Sequence, residues 1–260
     1  MAGLKGRLAL VTGGSRGVGR AICLALAEDG ADVAVNYRRD GDAAREVVEK
    51  VRAMGRRAEA FCASVDRLAD DESMVESVRR SLGTVDILVN NAGIASRGRS
   101  VADTDPEELE RVVRTHAISA HHLCRLLVPA MRERDRADVV MISSVATLTM
   151  EGNGAPYNMA KAALEALALT LAKEERRHGT RVNIVAPGLV ETEMGSRLAR
   201  AVAGVKDIRE LDATMPFGRV CQPEDVANVV RFLVSERNSY VTGEKINVHG
   251  GGQQIRQERR

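Results

Sequence analysis

The sequence predicts an α/β fold in which one doubly wound parallel sheet of about seven strands is flanked by helices. Three observations support this prediction. Short apolar runs alternate with longer segments of helical apolar spacing, the connections between them are short, and a glycine-rich turn follows the first apolar run. Such alternation is typical of right-handed βαβ units, whose parallel strands are buried on both faces.

The first half of the chain shows the alternation most plainly. The apolar run from Leu8 to Val11 predicts a buried strand, and a glycine follows each of the next three helical segments. The predicted strands are 8–11, 31–37, 57–63 and 85–90, and the predicted helices are 20–29, 42–54 and 70–82, ended by Gly30, Gly55 and Gly83.

The second half continues the pattern and adds an irregular segment. Pro106 stands at the first turn of a long predicted helix, where its missing N–H costs nothing. The predicted helices are 106–131, 155–178 and 223–235, and the predicted strands are 138–143, 181–186 and 245–248. The segment 189–220 is expected to be a lid over the substrate site. We expect one domain over 1–252, followed by a polar tail at 253–260.

Composition narrows the class of protein. Hydrophobic residues make up 44% of the 260 residues, enough for a core, and the net charge of +2 with mixed signs disfavours nucleic-acid binding. Four cysteines without a CxxC motif indicate reduced thiols, and the adjacent His121 and His122 do not have metal-ligand spacing, so we expect no metal. No signal peptide or membrane span is evident, so we expect a soluble cytoplasmic protein.

The glycine-rich turn predicts a dinucleotide site. Its spacing is GxxxGxG, directly after the first strand and at the start of a helix, where backbone N–H groups attract a pyrophosphate. Glycines also occur in tight turns for conformational reasons alone. The turn residues assigned to the cofactor are Gly13, Ser15, Arg16, Gly17, Val18 and Gly19.

The end of the second strand indicates which dinucleotide binds. An acid there would hold the ribose 2′-hydroxyl of NAD, but this strand ends Asn36-Tyr37-Arg38-Arg39. Arg16 and Arg38 could both reach a 2′-phosphate, which suits the guanidinium fork. We therefore favour NADP(H), with Arg39 as a substitute for Arg38; the alternative is that these are ordinary surface arginines.

A tyrosine and a lysine four residues apart suggest proton-transfer chemistry. Tyr157 and Lys161 would lie one above the other on a helix. The ammonium of Lys161 should favour the phenolate and lower the pKa of Tyr157. A phenol tuned in this way can exchange a proton with a substrate oxygen.

These motifs together resemble the short-chain dehydrogenase/reductase family over nearly the whole chain, with a Rossmann fold. The segments that carry the resemblance are Thr12 to Gly19, Asn90-Asn91-Ala92-Gly93, Ser144, Tyr157-x-x-x-Lys161 and Pro187-Gly188. Within the family the chain is most similar to the 3-oxoacyl-[acyl-carrier-protein] reductases. The segments 186–192 and 241–244 carry that closer likeness.

The resemblance implies a role for each motif. Tyr157 would be the general acid in reduction, Lys161 would lower its pKa and hold the nicotinamide ribose, and Ser144 would bind the substrate carbonyl. Asn90, like Ala92 and Gly93, would line the adenosine and pyrophosphate side. The further cofactor residues implied are Ser64, Val65, Asn91, Ala92, Gly93, Pro187, Gly188, Val190 and Thr192, with Tyr157 and Lys161.

Two positions depart from the family pattern. His116 stands where an asparagine usually continues a proton relay from the lysine. A histidine could continue that relay and titrate near neutrality, or simply pack without a role. Ser64 stands where relatives usually have an aspartate that faces adenine.

The resulting functional expectation is an NADP(H)-dependent oxidoreductase that reduces a ketone to a secondary alcohol, with 3-oxoacyl-[acyl-carrier-protein] as one candidate substrate. The alternatives are a dehydrogenase of another secondary alcohol (sterol, sugar or polyketide) and a cofactor-binding regulator without catalysis. A homotetramer is expected by resemblance. An acyl carrier protein is a candidate partner for the arginines Arg132, Arg134, Arg136, Arg176 and Arg177, which otherwise form a solvated face.

Overall fold

A computed structural model describes residues 3–252 and contains one parallel sheet of seven strands in the order β3-β2-β1-β4-β5-β6-β7. The strands are β1 Leu8–Val11, β2 Asp32–Tyr37, β3 Ala58–Cys62, β4 Ile87–Asn90, β5 Ala137–Ile142, β6 Thr180–Pro187 and β7 Lys245–Val248. This confirms the predicted α/β sheet. The predicted tail at 253–260 lies outside the described residues.

Helices cover both faces of the sheet. The α-helices are α1 Gly17–Glu28, α2 Gly41–Ala53, α3 Leu68–Ser81, α4 Pro106–Val113, α5 Ser119–Met131, α6 Ala146–Thr149, α7 Ala155–Glu175, α8 Glu193–Ala203 and α9 Pro223–Val234. A π-helical turn, Arg114–Ile118, joins α4 to α5, and short 3₁₀ segments occur at Arg176–His178, Ile208–Thr214 and Pro216–Gly218.

Two hydrophobic cores lie on opposite faces of the sheet. On one face α1, α2 and α9 pack through Ile22, Leu26, Val47, Val51 and Val230. On the other face α3, α5 and α7 pack through Met74, Val78, Leu123, Leu127 and Leu164. Because β1 and β4 contribute side chains to both cores, their sequences read as continuous apolar runs.

The main differences from the sequence-based elements lie in two places. The predicted helix over 106–131 is interrupted by the π turn at Arg114–Ile118, and the segment 189–220 contains a regular helix, α8. Thr192 starts α8 because its hydroxyl accepts the backbone N–H of Gly195 at 3.0 Å. The apolar residues Leu198 and Val202 of α8 remain exposed, so their spacing did not indicate a buried face.

Strand order places the functional edge of the sheet. Chain connections run one way from β1 through β2 to β3 and the other way from β4 to β7, so the order reverses between β1 and β4. In open parallel sheets ligands bind outside the carboxyl ends of the strands at such a reversal. Both the glycine-rich turn after β1 and the segment after β4 begin at this edge.

At the opposite, amino-terminal ends of the strands, buried carboxylates form ion pairs that stabilise the sheet. The Asp138 carboxylate accepts hydrogen bonds from Arg7 at 2.7 Å, Arg136 at 3.0 Å and Arg181 at 3.1 Å. Asp86 similarly accepts from Arg134 at 2.6 Å. This ionic network ties together the amino-terminal ends of β1, β5 and β6, far along the strands from the functional edge.

All four cysteines are free thiols, and two of them, Cys23 and Cys124, are buried. Within residues 3–252, no helix combines the length and apolar character needed to cross a membrane. No group of three His, Cys, Asp or Glu side chains in that range is arranged to hold a metal ion.

The Asp138 network should contribute measurably to stability. In Asp138→Ala three guanidinium groups lose their shared carboxylate, and we expect the free energy of unfolding to fall by about 3 kcal/mol. Urea denaturation at constant ionic strength measures this change. The exposed Asp135 is the matched control, because Asp135→Ala should change stability by less than ~0.5 kcal/mol. A similar small change for Asp138→Ala would show that the network is dispensable.

Candidate active site

Ser144, Tyr157 and Lys161 meet where β5 ends and α7 begins. Ser144 lies two residues after the last residue of β5, and Tyr157 and Lys161 occupy the first two turns of α7. Pro156 in the first turn of α7 fits because that turn leaves N–H groups without intrahelical partners. The Lys161 Nζ lies 5.7 Å from the centre of the Tyr157 ring.

The two adjacent serines have different surroundings. The buried Ser143 donates its hydroxyl to Glu165 at 2.6 Å. Ser144 is partly exposed, accepts the backbone N–H of Ala146 at 3.2 Å, and hydrogen-bonds Tyr157 in a way that favours the phenolate. Ser144 is therefore the serine that accompanies Tyr157.

Lys161 is buried, with only 3% of its surface exposed. Its ammonium donates to the backbone carbonyl of Ile142 at 2.7 Å, which ties α7 to the end of β5. Burial lowers the pKa of Lys161 to about 7, because a charged amine is costly to desolvate, and the Glu165 carboxylate opposes this shift. Lys161 can therefore change its protonation state near neutral pH.

The pKa of Tyr157 differs from the expectation. The sequence predicted that Lys161 would lower it, but burial raises it, and the hydrogen bond with Ser144 offsets only part of that effect. The ring is partly exposed, yet the protein packed around it desolvates the phenolate. Tyr157 is thus a protonated phenol at neutral pH, which is the form that donates a proton.

His116 lies in the π turn beside Tyr157. The two rings are edge to face, with centres 5.4 Å apart. Its Nε2 faces both the N–H of Ile94, at 3.0 Å, and the carbonyl oxygen of the same residue, at 2.8 Å. Within residues 3–252 its buried Nδ1 has no hydrogen-bond partner.

The protonation of His116 corrects a further expectation. Burial, and then the charge of Lys161, lower the pKa of His116 to about 3, although the hydrogen bond to Ile94 favours protonation. The imidazole is therefore neutral throughout the physiological range, and titration near neutrality is excluded. A Cβ on Gly93 would lie 2.4 Å from its Cε1, so this glycine makes room for the ring.

The glycine-rich turn fits a pyrophosphate. Gly13 and Gly17 have φ of +61° and +52°, which side chains disfavour, and a Cβ on Gly19 would lie 2.3 Å from the carbonyl oxygen of Gly13. Arg16, the N-cap of α1, makes no side-chain capping bond, and the first turn holds no acid. The first N–H groups of α1 thus remain available to an anion. Ser15 is buried, and Val18 partly so, within this turn.

The segment after β4 is locked to the glycine turn. The Thr12 hydroxyl accepts the backbone N–H groups of Asn91 and Ala92, each at 2.9 Å. The Asn91 amide donates to the Thr12 carbonyl at 2.8 Å. The side chain of Asn90 instead lies in the core, 3.2 Å from the sulfur of Met141, so the expectation that Asn90 lines the adenosine side is wrong.

Of the two arginines assigned to the 2′-phosphate, Arg16 is already ion-paired within the described part of the chain and Arg38 is not. Arg16 pairs with Glu193 at 2.9 Å and approaches Asp40 at 3.7 Å. Arg38 is exposed, and none of the ion pairs among residues 3–252 involves it. An incoming phosphate would meet a free guanidinium at Arg38 but would compete with Glu193 for Arg16.

Ser64 and Val65, which were assigned to the adenine side, lie in the segment after β3. The Ser64 hydroxyl donates to Asp66 at 2.7 Å, which leaves its oxygen to accept a further hydrogen bond. Val65 is buried. Ser64 can therefore serve as an acceptor for a base edge, whereas its donor is already used.

The residues assigned to the nicotinamide side begin at the end of β6. The carbonyl of Pro187 accepts the N–H of Val145 at 3.0 Å, and Gly188 donates to Val248 at 2.9 Å, which fixes this turn between β5 and β7. Val190 is buried next to Thr192, the N-cap of α8.

Two residues that shape the site, Glu165 and Gly195, were not identified from the sequence. Glu165 contacts Ser143 and influences Lys161, and its signal is an acid four residues after the lysine, on the same helix face. A Cβ on Gly195 would lie 2.0 Å from the carbonyl oxygen of Val190, so α8 can start where it does only with glycine there. No single-sequence pattern indicates that contact.

Comparisons with known proteins agree with this geometry. A family profile described as enoyl-(acyl carrier protein) reductase matches residues 13–253. The 3-oxoacyl-[acyl-carrier-protein] reductase of Escherichia coli is 36% identical over 247 residues, which cover 95% of this chain and 97% of that relative. A 3α-hydroxysteroid dehydrogenase of Mediterraneibacter gnavus is 35% identical over 249 residues, covering 95% of this chain and 97% of the relative.

Solved structures give the same result. L-sorbose reductase of Gluconobacter frateurii, in complex with NADPH and L-sorbose, superposes with a TM-score of 0.90 at 31% identity, covering 98% of this chain and 99% of that one. With this agreement in sequence, fold and length, the chain belongs to the short-chain dehydrogenase/reductase family and is an oxidoreductase.

Proposed function

We propose that this protein is an NADP(H)-dependent reductase that converts a ketone to a secondary alcohol. The observation that carries the proposal is the meeting of Ser144, Tyr157 and Lys161 beside a glycine turn that fits a pyrophosphate. The NADPH complex of the structural neighbour supports the choice of dinucleotide. The free guanidinium of Arg38 supports it independently.

The residues have distinct chemical tasks in this proposal. The dinucleotide would be held by the turn from Gly13 to Gly19 and by Lys161, and it supplies the hydride. Ser144 donates a hydrogen bond to the substrate carbonyl as negative charge develops on its oxygen. Tyr157, whose pKa is raised, delivers the proton to that oxygen, and the charged Lys161 stabilises the phenolate that remains.

His116 fits a positioning role better than a proton relay. With a pKa of about 3, the imidazole stays uncharged at neutral pH, so it holds no additional proton to release. Its contact with Ile94 holds the segment after β4 against the π turn, next to the Tyr157 ring. The proposed role of His116 is therefore to hold the segment after β4 in place beside the Tyr157 ring.

The substrate is proposed to be bulky and apolar, and the segment 189–220 is proposed to be its lid. Met194, Leu198 and Val202 are exposed at intervals of four on α8, so they share one face. Leu148 and Met150, between Ser144 and Tyr157 in sequence, are also exposed. Apolar surface on both flanking segments favours an acyl chain or a polycyclic ketone over a sugar.

The 3-oxoacyl thioester remains one candidate within that class. The arginines considered for an acyl carrier protein are mostly committed within the chain: Arg132 pairs with Glu175 at 2.7 Å, and Arg134 and Arg136 pair with Asp86 and Asp138. These pairs give the arginines a structural role that requires no partner. A polycyclic ketone is thus an equal candidate, in keeping with the hydroxysteroid dehydrogenase among the relatives.

A homotetramer is part of the proposal. β7 pairs only with β6 in the sheet of residues 3–252, so its other edge is open. Phe232 and Tyr240, which precede that strand, are exposed at 43% and 96%. Both features favour association of this side with another subunit.

Tyr157→Phe tests the reaction. The variant keeps the ring but has no proton to donate, so kcat for ketone reduction should fall by at least ~10³-fold. NADPH affinity, measured by fluorescence titration, should change by less than about threefold. A panel of 3-oxoacyl thioesters, polycyclic ketones and ketoses measures the wild-type activity. Turnover that persists in Tyr157→Phe would contradict the proton-donor role.

Arg38→Ala tests the choice of dinucleotide. Loss of a charge-assisted contact with the 2′-phosphate should weaken NADPH binding by about 10- to 100-fold. NADH affinity should be unchanged, because NADH lacks that phosphate, and it serves as the internal control. Equal losses for both dinucleotides, or a wild-type preference for NADH, would exclude the proposed 2′-phosphate contact.

The depressed pKa of His116 predicts acid sensitivity. The unfolded chain takes up a proton at this residue below about pH 6.5, whereas the folded protein does not above pH 3. The free energy of unfolding therefore decreases as the pH is lowered through that window, by ~1.4 kcal/mol per pH unit for one proton. His116→Asn removes this term and can still bond both backbone groups of Ile94. Urea denaturation at pH 7.5, 6 and 5 should show a shallower loss for the variant, and parallel curves would refute the buried neutral imidazole.

A further inference from the structure

Four side chains form a cluster one helical turn beyond Lys161. The Glu165 carboxylate accepts hydrogen bonds from the Ser143 hydroxyl at 2.6 Å and the Thr147 hydroxyl at 2.8 Å. Lys245, the first residue of β7, places its ammonium 2.9 Å from the same carboxylate and also donates to Thr147. Glu165 and Lys245 are largely buried, with 15% and 19% of their side chains exposed. We call these four residues the Glu165 cluster.

The cluster positions the end of β5. Lys161 donates to the carbonyl of Ile142, and Glu165, four residues later on α7, accepts from the side chain of Ser143. Two neighbouring turns of α7 thus hold Ile142, the last residue of β5, and Ser143, the first residue after it. The next residue is Ser144, so its position depends on both contacts.

The cluster also controls the charge near Lys161. Residues four apart on a helix lie on the same face, which brings the carboxylate of Glu165 towards the ammonium of Lys161. The other ionisable groups that face Lys161 are Tyr157, a neutral phenol, and His116, a neutral imidazole. Glu165 supplies the negative charge in this set, and it raises the pKa of Lys161 against the effect of burial.

We propose that Glu165 is a positioning residue that holds Ser143 beside Ser144 and favours the charged form of Lys161, and that Lys245 adjusts this effect by neutralising part of the Glu165 charge. The inference deepens the proposed function and rests on it for its role in reduction. The geometry that carries it is the direct contact of Lys245 with Glu165 from the neighbouring strand. The side chain of Glu165 contacts Ser143, Thr147 and Lys245, so its proposed effect on the reaction acts through its neighbours.

This arrangement predicts opposite effects from the two partners. Glu165→Gln removes the anion but keeps the size and one acceptor oxygen, so Lys161 should lose its proton at lower pH. Lys245→Met removes the neutralising cation and leaves the Glu165 charge uncompensated, so Lys161 should hold its proton to higher pH. A purely structural cluster would give the same kind of damage in both variants.

The test is the pH titration of Lys161 by NMR on full-length protein with [13Cε]lysine. The chain has six lysines, and the Lys161 resonance is identified by its loss in Lys161→Met. We expect the titration midpoint to fall by roughly half to one pH unit in Glu165→Gln and to rise by a similar amount in Lys245→Met. Lys245→Arg should restore the wild-type midpoint.

Glu174→Gln is the matched control, because Glu174 is an exposed glutamate on the same helix and should leave the midpoint unchanged. Shifts of the same sign in Glu165→Gln and Lys245→Met, or no shift in either, would overturn the proposal. Lys245→Met still decides the matter if Glu165→Gln fails to fold, since an unchanged midpoint there excludes the coupling.

Kinetics then relate the titration to the reaction. The fall of kcat/KM for ketone reduction at alkaline pH should shift in the same direction as the Lys161 midpoint in each variant, because the charged lysine is the active form. If the wild-type protein reduces no ketone with NADPH, the proposed function fails. The NMR midpoints still decide the role of Glu165 in that case.

Discussion

Burial of the Lys161 ammonium is the constraint on which the active site depends. A buried amine needs a hydrogen-bond acceptor and nearby negative charge, or it gives up its proton. The carbonyl of Ile142 supplies the acceptor, and that contact fixes α7 against the end of β5. Ser144 and Tyr157 are in place because they flank that contact. The same demand explains why an acid stands one turn further along α7.

Much of the fold could be predicted from the sequence because it is local in origin. The apolar run Leu8–Val11 is the first strand as predicted, and Lys245–Val248 is the last. The π turn could not be predicted, since one widened turn leaves no periodic mark in the apolar pattern of 106–131. The pairing of α7 with β5 likewise depends on contacts between residues far apart in the chain.

For the site residues too, local motifs could be predicted from the sequence, whereas properties that depend on the folded surroundings could not. Glycine spacing and the order of Ser144, Tyr157 and Lys161 are visible in the sequence, but their protonation states are not. The pKa values of Tyr157 and His116 follow from how densely the folded protein surrounds them, and both depart from the expectation for that reason. Asn90 was misassigned because adjacent residues of a strand point to opposite faces, and the motif alone does not say which face is the core.

The segment 189–220 has a small hydrophobic cluster of its own, formed by Ala199, Ile208 and Val220, apart from the two cores on the sheet. Val190, near its start, belongs to a sheet core, but substitutions after Thr192 affect few contacts of the main body. A lineage of such proteins could change the substrates it accepts by altering α8 and the turns after it, while the machinery for hydride and proton transfer stays intact. The separation of these packing units makes the chain evolvable, and it marks the part of the proposed lid after Thr192 as the one to exchange when engineering a new specificity.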